Sequence, residues 1–303
     1  MTLIACASVS GAPGVTTAAL GLAAYWPLDL TPVLLEADPS GGDLHVLFGL
    51  PESPGTVSLA AASRRAAGPD LLWRHAQWLT PRLAVVPGPA GADQAAATGS
   101  LLAASSWAPV TAAARSGAMI VADCGRAGPG TPAAPLIQAA DLLLIITGTT
   151  AEALAHLHAR LDALRRLSPQ LRLLLSGPRG PYPAAEISAA LRAEVAGRLP
   201  HDPAGASRLR GRPVRRGRDT RWRTPERLPL MTATAGTAAR VASLLVPGRP
   251  VPGRDPVPAR PPRHPPPGAG PGTPAQPAAS PAQPRGPAGG PRPGGGHQVR
   301  GHR

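Results

Sequence analysis

The sequence contains no lysine, so all 31 of its basic residues are arginines. This absence excludes every mechanism that requires a lysine of this chain. Cysteine is scarce as well, with Cys6 and Cys124 alone. Two cysteines at the ends of apolar segments do not form the disulfide framework of a small secreted protein. We therefore expect both to be small, unreactive core residues.

Long hydrophobic segments are also missing. No apolar run reaches the ~18 residues that a membrane-spanning helix needs. The beginning of the chain, MTLIACASVSGAPG, has no basic residue before its apolar run, and glycine and proline interrupt that run early. This pattern is not that of a secretory signal peptide. These features predict a cytoplasmic protein without a transmembrane segment.

Aliphatic residues become rare towards the end of the chain. Residues 247–303 consist mostly of proline, glycine, alanine, glutamine and arginine. Such a composition buries too little apolar surface to offset the conformational entropy lost on ordering. We therefore predict a folded domain over residues 1–246 and a disordered, basic, Pro/Gly/Arg-rich tail over residues 247–303. The tail is expected to act as a flexible tether or, through its proline runs, as a polyproline II ligand for a partner.

The net charge of +14 is concentrated in two late segments. Residues 208–227 hold nine arginines against two acidic residues, and residues 247–303 hold eight arginines against one aspartate. A basic segment with one aromatic residue, here Trp222, suits contacts with a nucleic-acid backbone. The alternative is a solvated arginine-rich face with no ligand. The candidate nucleic-acid contacts are Arg208, Arg210, Arg212, Arg215, Arg216, Arg218, Arg221 and Arg223.

Short apolar runs alternate with segments of helical periodicity before residue 200. The clearest helix is predicted over residues 151–167, where leucines recur at three- and four-residue spacings. A shorter helix is predicted over residues 16–24. Apolar strands that alternate with helices predict an α/β fold, with a mainly parallel sheet covered by helices on both faces. The predicted strands span residues 3–9, 32–37, 83–86, 118–122, 141–147 and 171–175.

Polar residues lie where several of these strands end. Ser10, Asp38, Asp123 and Thr147 each occupy such a position. Ligands of parallel α/β sheets bind outside the carboxyl ends of the strands, so these residues predict one functional site at that edge of the sheet.

The segment Ser10–Thr17, SGAPGVTT, joins the first strand to the first helix. Glycine allows the backbone to approach an anion closely, and the beginning of a helix offers unpaired N–H groups and a favourable dipole. The Thr16 hydroxyl at the helix start suits a Mg²⁺ ligand. With acidic residues at two later strand ends, the segment is predicted to be a phosphate loop.

This loop resembles the deviant phosphate loop of the MinD/ParA family of ATPases, which reads Lys-Gly-Gly-x-Gly-Lys-Thr-Thr. Both family lysines are replaced. Ser10 stands where family members carry the lysine that reaches across the dimer, and Val15 stands where they carry the phosphate-binding lysine. Ala12 replaces a glycine. The positions that match are Gly11, Gly14, Thr16 and Thr17.

The resemblance extends in the same order over about residues 3–245. Residues 33–44, VLLEADPSGGDL, resemble the family strand that ends in two acidic residues, here Glu36 and Asp38. Residues 118–125, AMIVADCG, resemble the Walker B strand, with Asp123 as its acidic residue. Residues 139–154 resemble the following strand, and LPHDP at residues 199–203 resembles the segment near the adenine. Ser176-Gly177 stand where the family usually has an adenine-contacting asparagine.

The resemblance implies a phosphate-loop NTPase fold that binds ATP and Mg²⁺. It assigns a catalytic role to Asp38 and magnesium to Thr16 and Asp123, with Asp38 acting directly or through water. Losing a charge-assisted lysine contact costs about 1.5–3 kcal/mol, which predicts weak nucleotide binding and slow or absent hydrolysis. Arg126 is the nearest arginine in sequence to supply the missing charge. The implied nucleotide-binding residues are Gly11, Ala12, Pro13, Gly14, Val15, Thr16 and Thr17.

Each acidic residue also has a purely structural interpretation. Asp38 is placed to cap the turn that follows it, and Asp123 to cap a loop or helix. We assign Glu36 and Asp141 structural roles only. The ATPase activity itself stays undecided from the sequence.

Three functions are compatible with these features. The first is a MinD/ParA-like, nucleotide-dependent organiser that dimerises and positions a chromosome, a plasmid or a pilus machine, the last by similarity to TadZ/CpaE-like members. The second is a non-enzymatic scaffold that binds a protein or nucleic acid through its arginine-rich segments. A metabolic enzyme of the same superfamily is the least supported, because no substrate pocket is visible.

Overall fold

The computed structural model describes residues 2–10, 14–27, 29–211 and 228–245. Within these residues, eight strands form one sheet in the spatial order β3-β4-β2-β5-β1-β6-β7-β8. Every neighbouring pair is parallel except β3 and β4, which are antiparallel. The strands are β1 (Thr2–Ser8), β2 (Pro32–Glu36), β3 (Gln77–Thr80), β4 (Leu83–Val86), β5 (Met119–Arg126), β6 (Leu142–Thr147), β7 (Leu171–Gly177) and β8 (Val195–Pro200).

Helices connect the parallel strands and cover the sheet on both faces. In the same described ranges they are α1 (Val15–Ala24), α2 (Leu44–Phe48), α3 (Thr56–Ser63), α4 (Asp70–Arg74), α5 (Ala92–Ala104), α6 (Ala108–Arg115), α7 (Ala134–Ala139), α8 (Ala151–Leu167), α9 (Ala184–Leu191), α10 (Pro203–Leu209) and α11 (Pro229–Leu245). The predicted fold class is therefore confirmed. No helix of the described residues is long and apolar enough to cross a membrane.

The sheet separates two hydrophobic clusters, and consecutive residues of β1 alternate between them. Leu3 and Ala5 belong to the cluster under α8, whereas Ile4 and Cys6 belong to the cluster under α1, α10 and α11. Both faces of the central strands are buried, which explains their uninterrupted apolar sequences. Cys6 and Cys124 are fully buried, and burial raises the pKa of both thiols.

The predicted helix over residues 151–167 is α8, with the same bounds. Thr150 caps it by accepting a hydrogen bond from the Ala153 N–H at 3.3 Å. Leu157, Leu161 and Leu164 are buried on the face that meets the sheet. Spacing and capping together therefore determine where this helix begins and how it packs.

Two strands escape prediction, and β5 and β7 extend beyond their predicted ends. The missed strands, β3 and β8, lie at the two edges of the sheet. Edge strands have mixed burial and lack the continuous apolar pattern of central ones, and β8 contains glycine, arginine and proline. Strand β5 continues to Arg126, so Asp123 pairs with Cys6 and Glu36 within the sheet. The sequence had predicted Asp123 just after this strand, which was expected to end at residue 122.

Helix α11 packs closely against the second half of α1. Gly21 of α1 faces Thr234 of α11, and a Cβ atom at Gly21 would lie 2.6 Å from the Thr234 Cγ2 atom. The Thr234 hydroxyl donates back to the Leu230 carbonyl at 2.7 Å. A glycine at this position lets the two helices approach closely.

The predicted tail, residues 247–303, lies outside the described residues, so the proposed boundary at residue 246 stays a prediction. Asp141 has the expected structural role. Its Oδ2 atom accepts a hydrogen bond from the Leu3 N–H at 2.8 Å, across the start of β6 and β1.

Candidate functional site

Helix α1 begins at the carboxyl end of the central strand β1. Gly14 precedes it with φ 90° and ψ 39°, in the left-handed region that favours glycine. Because glycine has no side chain to cap the helix, the N–H groups of its first turn stay available to an anion. Gly11, Ala12 and Pro13, the other predicted loop residues before the helix, lie outside the described residues and stay predictions.

Val15 occupies the position of the family's phosphate-binding lysine. Its side chain is only 8% exposed and packs in the hydrophobic cluster beneath α1. The position that carries a cation in the family pattern therefore belongs to the core here. No positive charge enters the site from this residue.

Thr16 and Asp123 come together at the beginning of α1. The Thr16 side chain approaches the Asp123 carboxylate closely enough to lower its pKa, and the Gly125 N–H donates to Asp123 Oδ1 at 3.1 Å. Asp123 is 2% exposed. Burial raises its pKa to about 6, although the Thr16 side chain and the Gly125 N–H lower it, and the negative charges of Asp38 and Asp43 raise it further.

Asp38 lies against the backbone that follows Asp123. A Cβ atom at Gly125 would overlap the Asp38 carboxylate, and Gly125 has φ 59°. Asp38 also caps the turn after β2, since its Oδ1 accepts from the Ser40 N–H at 2.8 Å. The structural and functional interpretations of Asp38 are therefore compatible: it caps a turn and faces the Asp123 strand end.

Glu36 has the structural role that the sequence predicts. Its Oε1 accepts from the N–H groups of Asp43 and Leu44 at 2.7 and 2.9 Å, and its Oε2 accepts from the Gly88 N–H at 2.8 Å. Burial raises the pKa of this carboxyl to about 7, although the three N–H donors lower it. The negative charge of Asp123 adds to the rise. Glu36 thus ties together the loops after β2 and β4.

A cavity of about 430 Å³ lies at the carboxyl ends of β6, β7 and β8, beside the beginning of α1. Gly14 and Thr17 line it from α1. From the strand ends and the segment after β8 it is lined by Gly148, Ser176, Gly177, Leu199, Pro200 and His201. The segment LPHDP therefore reaches the site, and so does the Ser176-Gly177 pair.

Arg210 is the one arginine among the described residues that line this cavity. It follows α10 and lines the cavity, and its Nη2 atom donates to Thr17 Oγ1 at 3.1 Å. The sequence predicted Arg210 as a nucleic-acid contact together with Arg208, which lies two residues earlier, on α10. The other six candidate arginines, at positions 212 to 223, lie outside the described residues. No sequence pattern pairs Arg210 with Thr17, 193 residues away.

Arg126, the sequence-based candidate for the missing charge, is exposed at the end of β5. A further arginine approaches the loop from the opposite face of the sheet. Arg160 of α8 donates through Nη1 to the Val9 carbonyl at 3.1 Å, just before the loop. Helix α8 packs in the other hydrophobic cluster.

The chemistry of the donors suits Mg²⁺. The ion prefers oxygen ligands, takes one or two carboxylates and keeps waters or phosphate oxygens in its remaining positions. Thr16 and Asp123 supply a hydroxyl and a carboxylate, and Asp38 adds a second carboxylate nearby. Across residues 2–10, 14–27, 29–211 and 228–245, no group of three or more His, Cys, Asp or Glu side chains is arranged to hold a metal. Waters and phosphate oxygens would complete the coordination.

Comparison with solved structures places the fold among the MinD and ParA ATPases. A ParA family ATPase from Chlorobium tepidum is similar with a TM-score of 0.62 and 18% identity, over 78% of this chain and 98% of that one. MinD of Pyrococcus horikoshii in complex with Mg-ADP is similar with a TM-score of 0.61 and 16% identity, over 80% of this chain and 96% of that one. The MinC:MinD complex of Aquifex aeolicus is similar with a TM-score of 0.59 and 17% identity, over 83% of this chain and 99% of that one.

The chain therefore has the MinD/ParA-like phosphate-loop fold that the sequence predicts. No family model matches the sequence, and no curated protein matches it either. At these identities the likeness concerns the fold alone, so the chemistry of the site rests on this chain's own residues.

Proposed function

We propose that this chain is a MinD/ParA-like organiser that binds ATP and Mg²⁺ at the beginning of α1. Nucleotide binding would control its association with protein partners, including a second copy of the chain. The proposed cargo is a chromosome, a plasmid or a pilus-assembly machine. The observation that carries the proposal is the approach of the Thr16 side chain to the buried Asp123 carboxylate, on the same first turn of α1 whose neighbours Gly14 and Thr17 line a cavity at the strand ends.

The size and position of the cavity support a nucleotide. Small-molecule sites usually enclose about 300–1,000 Å³, and this cavity encloses about 430 Å³. It lies outside the carboxyl ends of parallel strands, where ligands of open α/β sheets bind. The similar MinD structure from Pyrococcus horikoshii holds Mg-ADP, which supports the same ligand class here.

The residues that match the family pattern would each contribute to nucleotide binding or hydrolysis. Gly14 and the first-turn N–H groups of α1 would bind phosphate oxygens. Thr16 and Asp123 would hold Mg²⁺, and the ion would neutralise phosphate charge. Asp38 would orient the attacking water directly or beside the ion. Because Val15 supplies no charge to the transferring phosphoryl group, hydrolysis is expected to be slow or absent.

Isothermal titration of the full chain with ATP tests nucleotide binding, first with Mg²⁺ and then with EDTA. We expect weak binding that Mg²⁺ strengthens. Size-exclusion chromatography with light scattering, with and without Mg-ATP, then tests association between copies. An absence of heat at millimolar ATP would contradict the proposed nucleotide site.

A non-enzymatic scaffold is the second candidate, and the packing of Val15 favours it. Val15 is packed in the hydrophobic core at the position of the family's phosphate-binding lysine. This packing suits a protein whose fold serves for binding partners and not for hydrolysis. Under this alternative, partner binding is independent of nucleotide. Titration of one purified partner with and without Mg-ATP separates the two candidates, because only the organiser changes its affinity.

DNA is a proposed ligand of the arginine-rich segment 208–227. Each phosphate contact releases counterions, so an interaction through several arginines weakens steeply with salt. A gel-shift series from about 50 to 200 mM salt should then show an affinity loss of about 10³-fold for some six contacts. Binding that ignores salt would exclude this segment as a DNA-binding element.

A further inference from the structure

We propose that Arg210 supplies the positive charge for nucleotide phosphates that the loop of this chain lacks. This inference rests on the proposed nucleotide site and assigns it a phosphate-binding residue. The charge would come from the segment after α10 and enter the site beside Thr17. In this way Arg210, 193 residues after Thr17, would do the work of the family lysine whose position Val15 occupies here.

The backbone that carries Arg210 is held firmly. Asp202 caps α10, since its Oδ1 accepts from the Gly205 N–H at 3.0 Å. The Oδ2 atom of the same carboxylate accepts from the Leu230 N–H at 3.0 Å and so joins α10 to the beginning of α11. The Arg210 N–H continues the helical pattern by donating to the Ala206 carbonyl at 3.1 Å. These contacts fix the direction in which the side chain leaves α10.

The side chain of Arg210 ends at the first turn of α1. Its Nη2 contacts Thr17 Oγ1 at 3.1 Å, and the residue lines the cavity together with Gly14. In the described part of the chain no carboxylate forms an ion pair with Arg210. Asp202 also lines the cavity, where its oxygens accept two backbone N–H groups and make no ion pair with Arg210. Among the described residues no carboxylate is thus paired with the guanidinium, which can pair with a ligand.

The chemistry of the guanidinium suits this task. It presents five N–H donors in a planar fork, and the bond to Thr17 uses one of them. The remaining donors match the oxygens of a phosphate group, with which arginine commonly forms paired hydrogen bonds. An arginine is also charged at every physiological pH. It can thus perform the binding task of a lysine in a chain that has none.

Two other arginines near the loop are less well placed. Arg160 approaches from the opposite face of the sheet and donates to the Val9 carbonyl. Arg126 is exposed at the end of β5. Arg210 shares its sheet face with α1, because Leu209 and α1 pack in the same hydrophobic cluster. It also lines the cavity itself.

The test compares Arg210→Ala, Arg210→Gln and Arg210→Lys with the unchanged chain in titrations with ATP, ADP and adenosine at fixed Mg²⁺. We expect the Ala and Gln variants to bind ATP about 10- to 100-fold more weakly, as loss of a charge-assisted contact predicts. Adenosine binding should stay the same, because adenosine has no phosphate. The Lys variant should retain part of the affinity for ATP.

Arg160→Ala is the matched control and should bind ATP as the unchanged chain does. Equal ATP affinity of the unchanged chain and both Arg210→Ala and Arg210→Gln would overturn the inference and leave the proposed function standing. A loss at Arg126→Ala instead would assign the charge to Arg126. An equal loss for ATP and adenosine would show that Arg210 only shapes the cavity. Failure of the unchanged chain to bind any of the three ligands would overturn the proposed function itself.

Discussion

The side chain of Thr16 lies against the carboxylate of Asp123, which is 2% exposed at the end of the central sheet. This approach links the first turn of α1 to β5. It brings together the two side chains that the sequence assigns to Mg²⁺. The same burial that holds Asp123 in place raises its pKa to about 6.

Stability should fall as pH rises, because the folded chain holds protons that the unfolded chain releases. Burial raises the pKa of the Asp123 carboxyl from its ordinary value of 3.8 to about 6, and that of Glu36 from 4.5 to about 7. Between pH ~4 and ~7 the folded state therefore binds more protons, and the free energy of unfolding decreases with pH. The Asp123 shift alone corresponds to about 3 kcal/mol.

Asp123→Asn removes one of these titrating groups. In urea unfolding at a series of pH values, we expect this variant to show a shallower loss of stability above pH 4 than the unchanged chain. It should also lose the strengthening of ATP binding by Mg²⁺, since an amide is a poor ligand for the ion. Parallel pH profiles of variant and unchanged chain would contradict the raised pKa.

Gly125→Ala should displace Asp38 from the site. Its Cβ atom would overlap the Asp38 carboxylate, and alanine at φ 59° adds backbone strain of about 1–2 kcal/mol. Gly49→Ala is a matched control, because Gly49 has φ 62° and a Cβ there would meet no described atom within 4 Å. Both variants should lose similar stability from strain. Gly125→Ala alone should weaken Mg-ATP binding, by about tenfold or more if Asp38 contributes 1.4 kcal/mol. Equal ATP affinity of the two variants would separate Asp38 from the site.

Val15→Lys tests whether the loop still fits a phosphate group. A restored lysine contact should tighten ATP binding by about 10- to 100-fold, which corresponds to 1.5–3 kcal/mol. Val15 is 8% exposed, so the same variant should unfold at a lower urea concentration without nucleotide. Val15→Met, of similar length but uncharged, should not tighten binding. If Val15→Lys also fails to tighten ATP binding, the side chain at position 15 does not reach the phosphate groups.

Glu36→Gln should destabilise the fold without touching the nucleotide. The carboxylate accepts three backbone N–H groups on its two oxygens, and glutamine offers one acceptor oxygen and a donor. At least one buried N–H then loses its partner, at a cost of about 1–3 kcal/mol. Urea unfolding at pH 5, where the raised pKa keeps Glu36 protonated and the variant removes no buried charge, measures this cost. Glu186→Gln on exposed α9 should change stability by less than about 0.5 kcal/mol, and an equal effect there would contradict the role of Glu36.

The fold could be predicted because its central strands are buried on both faces. Their uninterrupted apolar runs, and the leucine spacing of α8, do not depend on distant contacts. The edge strands β3 and β8 were missed because they are only partly buried. An edge strand forms through pairing with one neighbour, and its own residues show little of that pairing.

The sequence alone determined that no lysine of this chain can bind phosphate, because the chain contains none. It also determined that Gly14, Thr16, Asp38 and Asp123 stand in the order of a phosphate-loop site, because the strand-end positions follow from local patterns. Only the tertiary structure decided which arginine reaches the site. Arg210 meets Thr17 because Asp202 joins α10 to α11 and the sheet brings α1 beside them. Contacts between residues so far apart in the chain follow from packing, and no local pattern encodes them.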